Sequence, residues 1–262
     1  MAAPFFCPEK IFKKIKIRYC NNTYFVYNRI MNKVKRFLKE EASGWKVFDV
    51  AWLLIATAVI LGLSIYWKDN MVSLTAALTG VWCVIFTGKG KRSSFIFGVF
   101  NSVLYAIVAI GAKYYGEVML NLLYYLPMNF VGFIVWKKHM NSESGEVVKE
   151  RLSAKKSILV YALTAAGIFI YGLILKRLNG TMPYIDSMST VISVVAQILS
   201  IKRLMEQWVL WIVVDVVTVI MWAVNFSKGG ENIATLAMWS VYLINAIIMF
   251  VRWYKEAKKN EV

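Results

Sequence analysis

Polar side chains recur along one face of several otherwise apolar segments of this chain. In residues 115–136, 184–201 and 207–226 they step by three or four positions. Residues three or four apart lie on the same side of an α-helix, so each series predicts one polar stripe along a helix. These stripes and their immediate neighbours supply our candidate substrate-binding residues, which are Asn101, Tyr105, Asn121, Tyr124, Asp186, Ser187, Thr190, Gln197, Asp215, Thr218, Trp222, Trp239, Tyr242 and Asn245.

The chemistry of these candidates indicates the kind of ligand that they could hold. Amides, carboxylates and hydroxyls form directed hydrogen bonds, while Trp and Tyr stack on flat rings and attract cations over their faces. The set contains no Lys or Arg, which a phosphorylated ligand would require. A cavity lined by these side chains therefore favours a neutral or cationic ligand with a flat ring and a sugar, such as a nucleoside.

The stretch 115–129 combines several polar residues with a proline. We predict that Glu117 caps the outer end of its helix, as does Glu231 in the last apolar segment, because a carboxylate is favourable at a helix N-terminus. Pro127 predicts a kink. Asn129 falls on a different face from the stripe and is expected to contact a neighbouring helix.

Each candidate also has a purely structural interpretation. A single Asn or Ser inside a membrane helix is as often a helix–helix contact as a ligand contact, so the collective stripes weigh more than any member. Asp186 and Asp215 are the strongest individual candidates, because an acid at depth in a membrane is costly and needs a partner or a function.

The elements that must position these residues are membrane-spanning helices. Apolar residues make up 59% of the 262 residues and charged residues 18%, with a mean hydropathy of +0.55. Crossing a bilayer takes about 20 helical residues, and eight apolar runs approach that length. We predict an all-α polytopic membrane protein with spans at 47–67, 71–88, 94–112, 115–136, 156–176, 184–201, 207–226 and 232–253.

The net charge of +16 follows the predicted topology. Of the 31 Lys and Arg residues, 26 fall in the two terminal segments and alternate loops that share one side of the membrane. Basic loops face the cytoplasm, so both termini are predicted to be cytoplasmic. The same distribution explains the charge without nucleic-acid binding.

Catalytic and metal-binding motifs are missing from the sequence. Three scattered cysteines and one histidine suit neither a disulfide framework nor a metal centre. H-E-x-x-H, G-x-S-x-G and Walker sequences do not occur. We therefore predict a protein that is not an enzyme and that holds no cofactor and no metal.

Two segments, 80–117 and 194–231, align without gaps, and Asn101 then falls on Asp215. Each contains a span, a basic turn, a second span, a Gly-Glu turn and the start of a third. One span separates the copies, so we predict two parallel triple-helix repeats, in the arrangement 1+(3+1+3). The predicted divisions are a basic N-terminal segment 1–45, a first span 46–69, a first bundle 70–140, a loop and linker helix 141–180, a second bundle 181–254 and a tail 255–262.

Residues 70–255 resemble the PnuC family of bacterial vitamin transporters, nicotinamide riboside transporters in particular. The resemblance rests on "YYGEVMLNLLYYLPMNFVGFIVWKKHMN" (114–141), "IDSMSTVISVVAQILSIKRLMEQWVLW" (185–211), Asn101, Asp215 and "LIN" ending at Asn245. It implies a SWEET-like fold, a homotrimer in the lipid of the bacterial inner membrane, and import by facilitated diffusion. A cytoplasmic kinase would then trap the riboside by phosphorylation.

Several functions remain open at this point. A relative of the same family carrying thiamine, riboflavin or a deoxynucleoside is the first alternative. An ion-coupled symporter would rest on Asp186 and Asp215, and a membrane scaffold or sensor without transport would have no use for the polar stripes.

Overall fold

The computed structural model describes residues 13–178, 183–229 and 233–259. Helices account for nearly all of them. The helices are α1 Lys13–Ala42, α2 Val47–Tyr66, α3 Met71–Lys89, α4 Ser93–Gly111, α5 Tyr115–Met119, α6 Leu126–Lys137, α7 Ala154–Arg177, α8 Pro183–Ile201, α9 Gln207–Ser227 and α10 Ile233–Lys259, with a π-helical turn Leu120–Tyr125 joining α5 to α6.

Eight spans in the described ranges are long and apolar enough to cross a membrane. They correspond to the eight predicted spans, the fourth being α5, the π-helical turn and α6 together. Large apolar side chains such as Leu54, Phe130 and Ile220 lie on the outer surface of the helices, where a bilayer would cover them. The all-α, multi-pass membrane fold is confirmed, whereas the repeat arrangement and the divisions of the chain stay predictions.

Two compact units are distinguished, one ending at Ser43 and one comprising Gly44–Val262. In the first, α1 covers most of the segment 1–45 that we predicted as basic and N-terminal. Its last turns carry an ion pair between Arg36 and Glu40, with 3.0 Å between nitrogen and oxygen.

In the second unit, local signals explain where the helices begin and end. Asn70 precedes α3, and its side-chain oxygen accepts a hydrogen bond from the backbone N–H of Ser73 at 2.8 Å. Gly90 ends α3 with a φ of 80°, a left-handed conformation that glycine adopts without strain. Asp69 accepts a hydrogen bond from the backbone N–H of Ala234 at 2.8 Å, which fixes the start of α10 beside the α2–α3 turn.

The second unit has α3 and α10 near its centre. α3 contacts α2, α4 and α10, while α8 contacts α7, α9 and α6. Small residues allow close approach: Gly88 of α3 meets Met249 of α10, and Gly132 of α6 meets the ring of Phe95 in α4. The inner faces of α3, α4, α8, α9 and α10 therefore surround a shared interior.

The fourth span is not a regular α-helix. In the turn Leu120–Tyr125 the backbone N–H of Leu126 reaches back to the carbonyl of Asn121, five residues earlier, and Pro127 follows immediately. Proline donates no hydrogen bond and disturbs the preceding turn, and single π-helical turns are frequent at functional sites. The fourth span thus contains a π-helical turn just before Pro127, and the kink that we predicted there stays a prediction.

Residues 138–153, which we call the strap, connect α6 to α7 and contact the ends of several helices. The backbone N–H of Val147 donates to the carbonyl of Gly90 at 2.9 Å, and that of Glu150 donates to the carbonyl of Arg203 at 3.0 Å. Arg203 also pairs with the Glu150 carboxylate. The strap therefore joins the α3–α4 turn to the α8–α9 turn.

A buried ionic network anchors the strap. Lys89 lies 2.9 Å from a carboxylate oxygen of Asp49 and 2.7 Å from one of Glu146, and all but 3% of the Lys89 and Asp49 side chains is buried. Arg252 pairs with Asp49, and Lys149 pairs with Glu146. Burial alone would raise the pKa of Glu146, but the charges and hydrogen bonds of Lys149 and Lys89 lower it below its ordinary value.

Candidate functional site

A cavity of about 110 Å³ lies between α3, α4, the fourth span, α8, α9 and α10. It is lined by side chains from six neighbouring spans. Eight of the fourteen candidate residues line it, and these are Asn101, Tyr105, Asn121, Gln197, Asp215, Trp239, Tyr242 and Asn245. The sequence stripes thus converge on one interior space, as expected, and contact of these residues with a substrate stays a prediction.

The other six candidates lie outside the cavity lining. Tyr124 is turned toward α8, where its hydroxyl donates to the carbonyl of Val194 at 2.8 Å. Ser187 donates to the carbonyl of Ile168 in α7 at 2.6 Å. Asp186, in the first turn of α8, is exposed, and Thr190 is partly exposed on the same helix.

The two remaining candidates of α9 have local partners. Thr218 donates to the carbonyl of Val214 one turn earlier, at 2.8 Å. Trp222 stands behind the lining, with its indole N–H donating to the Tyr105 hydroxyl at 3.1 Å. Helical spacing predicts which face of a helix a residue lies on, but not how far along the helix the cavity extends. Candidates beyond the cavity therefore bond to neighbouring helices or to their own backbone.

Several residues that line the cavity were not among the candidates chosen from the sequence. Glu117, predicted as a cap, contributes to the cavity, and so does Asn129, which also donates to the Ser102 hydroxyl at 3.3 Å. Tyr125, Trp208 and Trp211 complete the aromatic lining. A signal was present for the two tryptophans, since 208, 211 and 215 continue the α9 stripe by steps of three and four. The cap predicted at Glu231 lies outside the described residues.

Two of the asparagines have their side chains partly occupied by the protein. The Asn245 amide donates to the carbonyl of Val84 at 3.1 Å and accepts from the Trp52 indole at 3.2 Å, so it bonds α10 to α3 and α2. The Asn101 amide donates to the carbonyl of Ala76 at 2.8 Å. Both residues hold helices together at the cavity wall, which agrees with the structural interpretation of buried amides.

Aromatic rings form much of the wall. The ring centroids of Tyr105 and Trp239 are 5.8 Å apart, those of Trp239 and Tyr242 are 5.0 Å apart, and those of Tyr125 and Trp211 are 6.3 Å apart. These separations are typical of interacting aromatic pairs. Such a wall offers ring faces for stacking and for cation–π contact.

The charges around the cavity are of one sign. Glu117 and Asp215 line it, and Asp215 is only 2% exposed. The Tyr125 phenol lines the same cavity as both carboxylates. Within the ranges that the structure describes, the lining includes no Lys, Arg or His.

Comparison with known proteins identifies the relatives of this chain. A family model described as "Nicotinamide mononucleotide transporter" matches residues 70–255. A curated protein of Neisseria mucosa named "Nicotinamide riboside transporter PnuC" is 39% identical over 85% of this chain and 86% of its own length. One of the same name from Haemophilus influenzae is 32% identical over 87% of this chain and 99% of its own length.

A solved structure agrees with these sequence matches. The "Crystal structure of the Vitamin B3 transporter PnuC" superimposes with a TM-score of 0.77 at 39% identity, covering 85% of this chain and 97% of that one. Eight membrane-length helices in the described ranges, six of which line one interior cavity, and relatives that are named as transporters together indicate a multi-pass membrane transporter and not an enzyme. The chain belongs to the PnuC transporter family, as its sequence resemblance indicated.

Proposed function

We propose that this protein imports nicotinamide riboside across the bacterial inner membrane by facilitated diffusion. The riboside would move down its gradient through the interior cavity, and a cytoplasmic kinase would trap it by adding a phosphate. Two curated relatives, 39% and 32% identical to this chain, carry this riboside in their names. The termini and the strap would then lie on the cytoplasmic side, in keeping with the distribution of Lys and Arg.

The observation that carries the proposal is the chemistry of the cavity. Tyr and Trp rings suit the flat pyridinium ring, and the Asn121 and Gln197 amides suit the ribose hydroxyls and the carboxamide. The lining that the structure describes has no basic side chain, so a phosphate would find no counter-charge. This favours the riboside over the mononucleotide that gives the family model its name.

Isothermal titration of the purified protein in detergent tests the proposal. We expect nicotinamide riboside to bind with micromolar or tighter affinity, and nicotinamide mononucleotide and thiamine to give no heat. Riboside flux into liposomes without an ion gradient should then equilibrate and not accumulate. Binding of thiamine but not of the riboside would show that thiamine is the substrate. Uphill accumulation driven by a proton gradient would show coupled transport and not facilitated diffusion.

Replacing Asn121 with leucine should reduce riboside uptake at least about 10-fold, which corresponds to the loss of a hydrogen bond of about 1.4 kcal/mol. Asn121 is 4% exposed, lines the cavity and belongs to the π-helical turn. Its amide donates to the Glu117 carbonyl at 2.8 Å, which leaves the side-chain oxygen for a ligand.

Uptake by whole cells and titration of the purified variant measure the effect. Asn225→Leu makes the same change near the end of α9, outside the cavity lining, and should leave both values at the wild-type level. Wild-type affinity in Asn121→Leu would remove Asn121 from the substrate site.

A further inference from the structure

Asp215 is a buried acid for which the described part of the chain supplies no cation. It lies in the middle of α9 and lines the cavity. No hydrogen bond or ion pair to its carboxylate is found among the described residues, and the phenols of Tyr125 and Tyr242 line the same cavity. Elsewhere in this protein, buried Asp49 has both Lys89 and Arg252 as partners.

An isolated carboxylate at membrane depth is strongly unfavourable unless a bound proton or a nearby cation compensates its charge. Structural acids in membrane helices pair with a base or with backbone groups, and Asp49 follows that rule. Asp215 has no such partner among the described residues, and its side chain lines a cavity that a ligand can enter. The missing partner of Asp215 is therefore expected to arrive with the ligand, as a positive charge.

Glu117 extends the same argument across the cavity. It projects from α5 into the lining, which it shares with Asp215 and with the phenols of Tyr105 and Tyr125. A flat cation placed against these rings would meet aromatic faces and carboxylates together, and both favour positive charge.

We propose that Asp215, assisted by Glu117, selects ligands by the positive charge of their ring and rejects neutral analogues of the same shape. This inference rests on the proposed function and adds the rule by which the site recognises its substrate class. Applied to ribosides of nicotinamide, it distinguishes the oxidised pyridinium form from the reduced dihydropyridine form, which has the same substituents and no ring charge. Nicotinic acid riboside, whose added carboxylate would face the two acids, should also be rejected.

The test is a titration of the purified full-length protein with oxidised and with 1,4-dihydro nicotinamide riboside. The wild type should bind the oxidised form at least about 30-fold more tightly, the ratio that a desolvated cation–π contact of about 2 kcal/mol alone would give. Asp215→Asn keeps the shape of the side chain and removes its charge. It should lose affinity for the cation, retain affinity for the neutral form, and lower the ratio at least about 3-fold, with the aromatic faces accounting for the selectivity that remains.

Glu117→Gln should lower the ratio partially, and Glu143→Gln provides the matched control. Glu143 is an exposed acid of the strap outside the cavity, so its loss changes the net charge equally and should leave the ratio unchanged. Equal binding of the two riboside forms by the wild type would overturn the inference even if Asp215→Asn did not fold. An unchanged ratio in a folded Asp215→Asn would also overturn it.

Failure of the proposed function gives a different pattern. If the wild-type protein binds the thiamine cation and neither form of the riboside, the riboside is not the substrate. Charge selection would then be supported by weaker thiamine binding in Asp215→Asn, and refuted by unchanged thiamine binding.

Discussion

Replacing Gly80 with alanine is expected to weaken riboside binding about 10- to 100-fold, since overpacking typically costs about 1–3 kcal/mol. A Cβ at Gly80 would lie 2.0 Å from the Tyr242 hydroxyl, 2.7 Å from the Asn101 amide and 2.7 Å from the Met238 sulfur. All three neighbours line the cavity. The added methyl group must therefore push them into the space that the ligand needs.

The size of the cavity makes this effect large. At about 110 Å³ it is already smaller than the roughly 300–1,000 Å³ of typical ligand pockets, so binding must first move side chains outward. Titration of Gly80→Ala with the riboside measures the loss. Gly62→Ala is the matched control, because nothing lies within 4 Å of a Cβ at Gly62 in α2, and its affinity should equal that of the wild type. Equal affinity in Gly80→Ala would show that Tyr242 does not form the ligand-binding wall.

Replacing Lys89 with alanine should lower the midpoint of thermal unfolding by roughly 6 to 20 °C, corresponding to about 3–5 kcal/mol for a broken buried ion pair. Lys89 neutralises Asp49 and Glu146 together, and it is itself 3% exposed. Its loss leaves Asp49 with Arg252 alone and Glu146 with Lys149 alone. Thermal unfolding of the detergent-solubilised protein, followed by tryptophan fluorescence, measures the change.

The same variant should alter the response to acid. The pKa of Glu146 is lowered in the folded protein, so its contribution to stability is present above the ordinary glutamate value and lost as pH falls through the folded value. Without Lys89 the pKa of Glu146 should move upward, and this contribution should be smaller at neutral pH. Lys155→Ala removes an exposed lysine and should change neither property. An unfolding midpoint unchanged in Lys89→Ala would contradict the structural role of the network.

The positions of the helices could be predicted because each span is a predominantly apolar run of about the length that crosses a bilayer. Twenty apolar residues in a row require a spanning helix, so α2, α3 and α9 were predicted to within about two residues of their observed ends. The side chains facing the cavity followed from helical spacing for Asn121, Gln197 and Asp215. Periodicity locates a face reliably because the geometry of a regular helix is fixed.

The cavity lining differs from the predicted faces in two situations. In one the helix is not a regular α-helix, and in the other a residue lies on the predicted face but beyond the end of the cavity. The π-helical turn Leu120–Tyr125 adds a residue to one turn, which rotates the helix and brings Tyr125 to the cavity while Tyr124 meets α8. Asp186 lies on the predicted face but in the first, exposed turn of α8. Sequence spacing also could not reveal the strap, whose contacts join residues far apart in the chain.

The strap makes the two ends of the bundle unequal in how their turns are bonded. It bonds to the turns at Gly90 and Arg203, so separating the α3–α4 turn from the α8–α9 turn requires several hydrogen bonds and ion pairs to break together. At the opposite end, α4 and α5 are joined by a turn of only three residues, Ala112–Tyr114. Opening of the cavity toward the strapped end would have to break this bonding, and we therefore expect it to be the slower of the two openings.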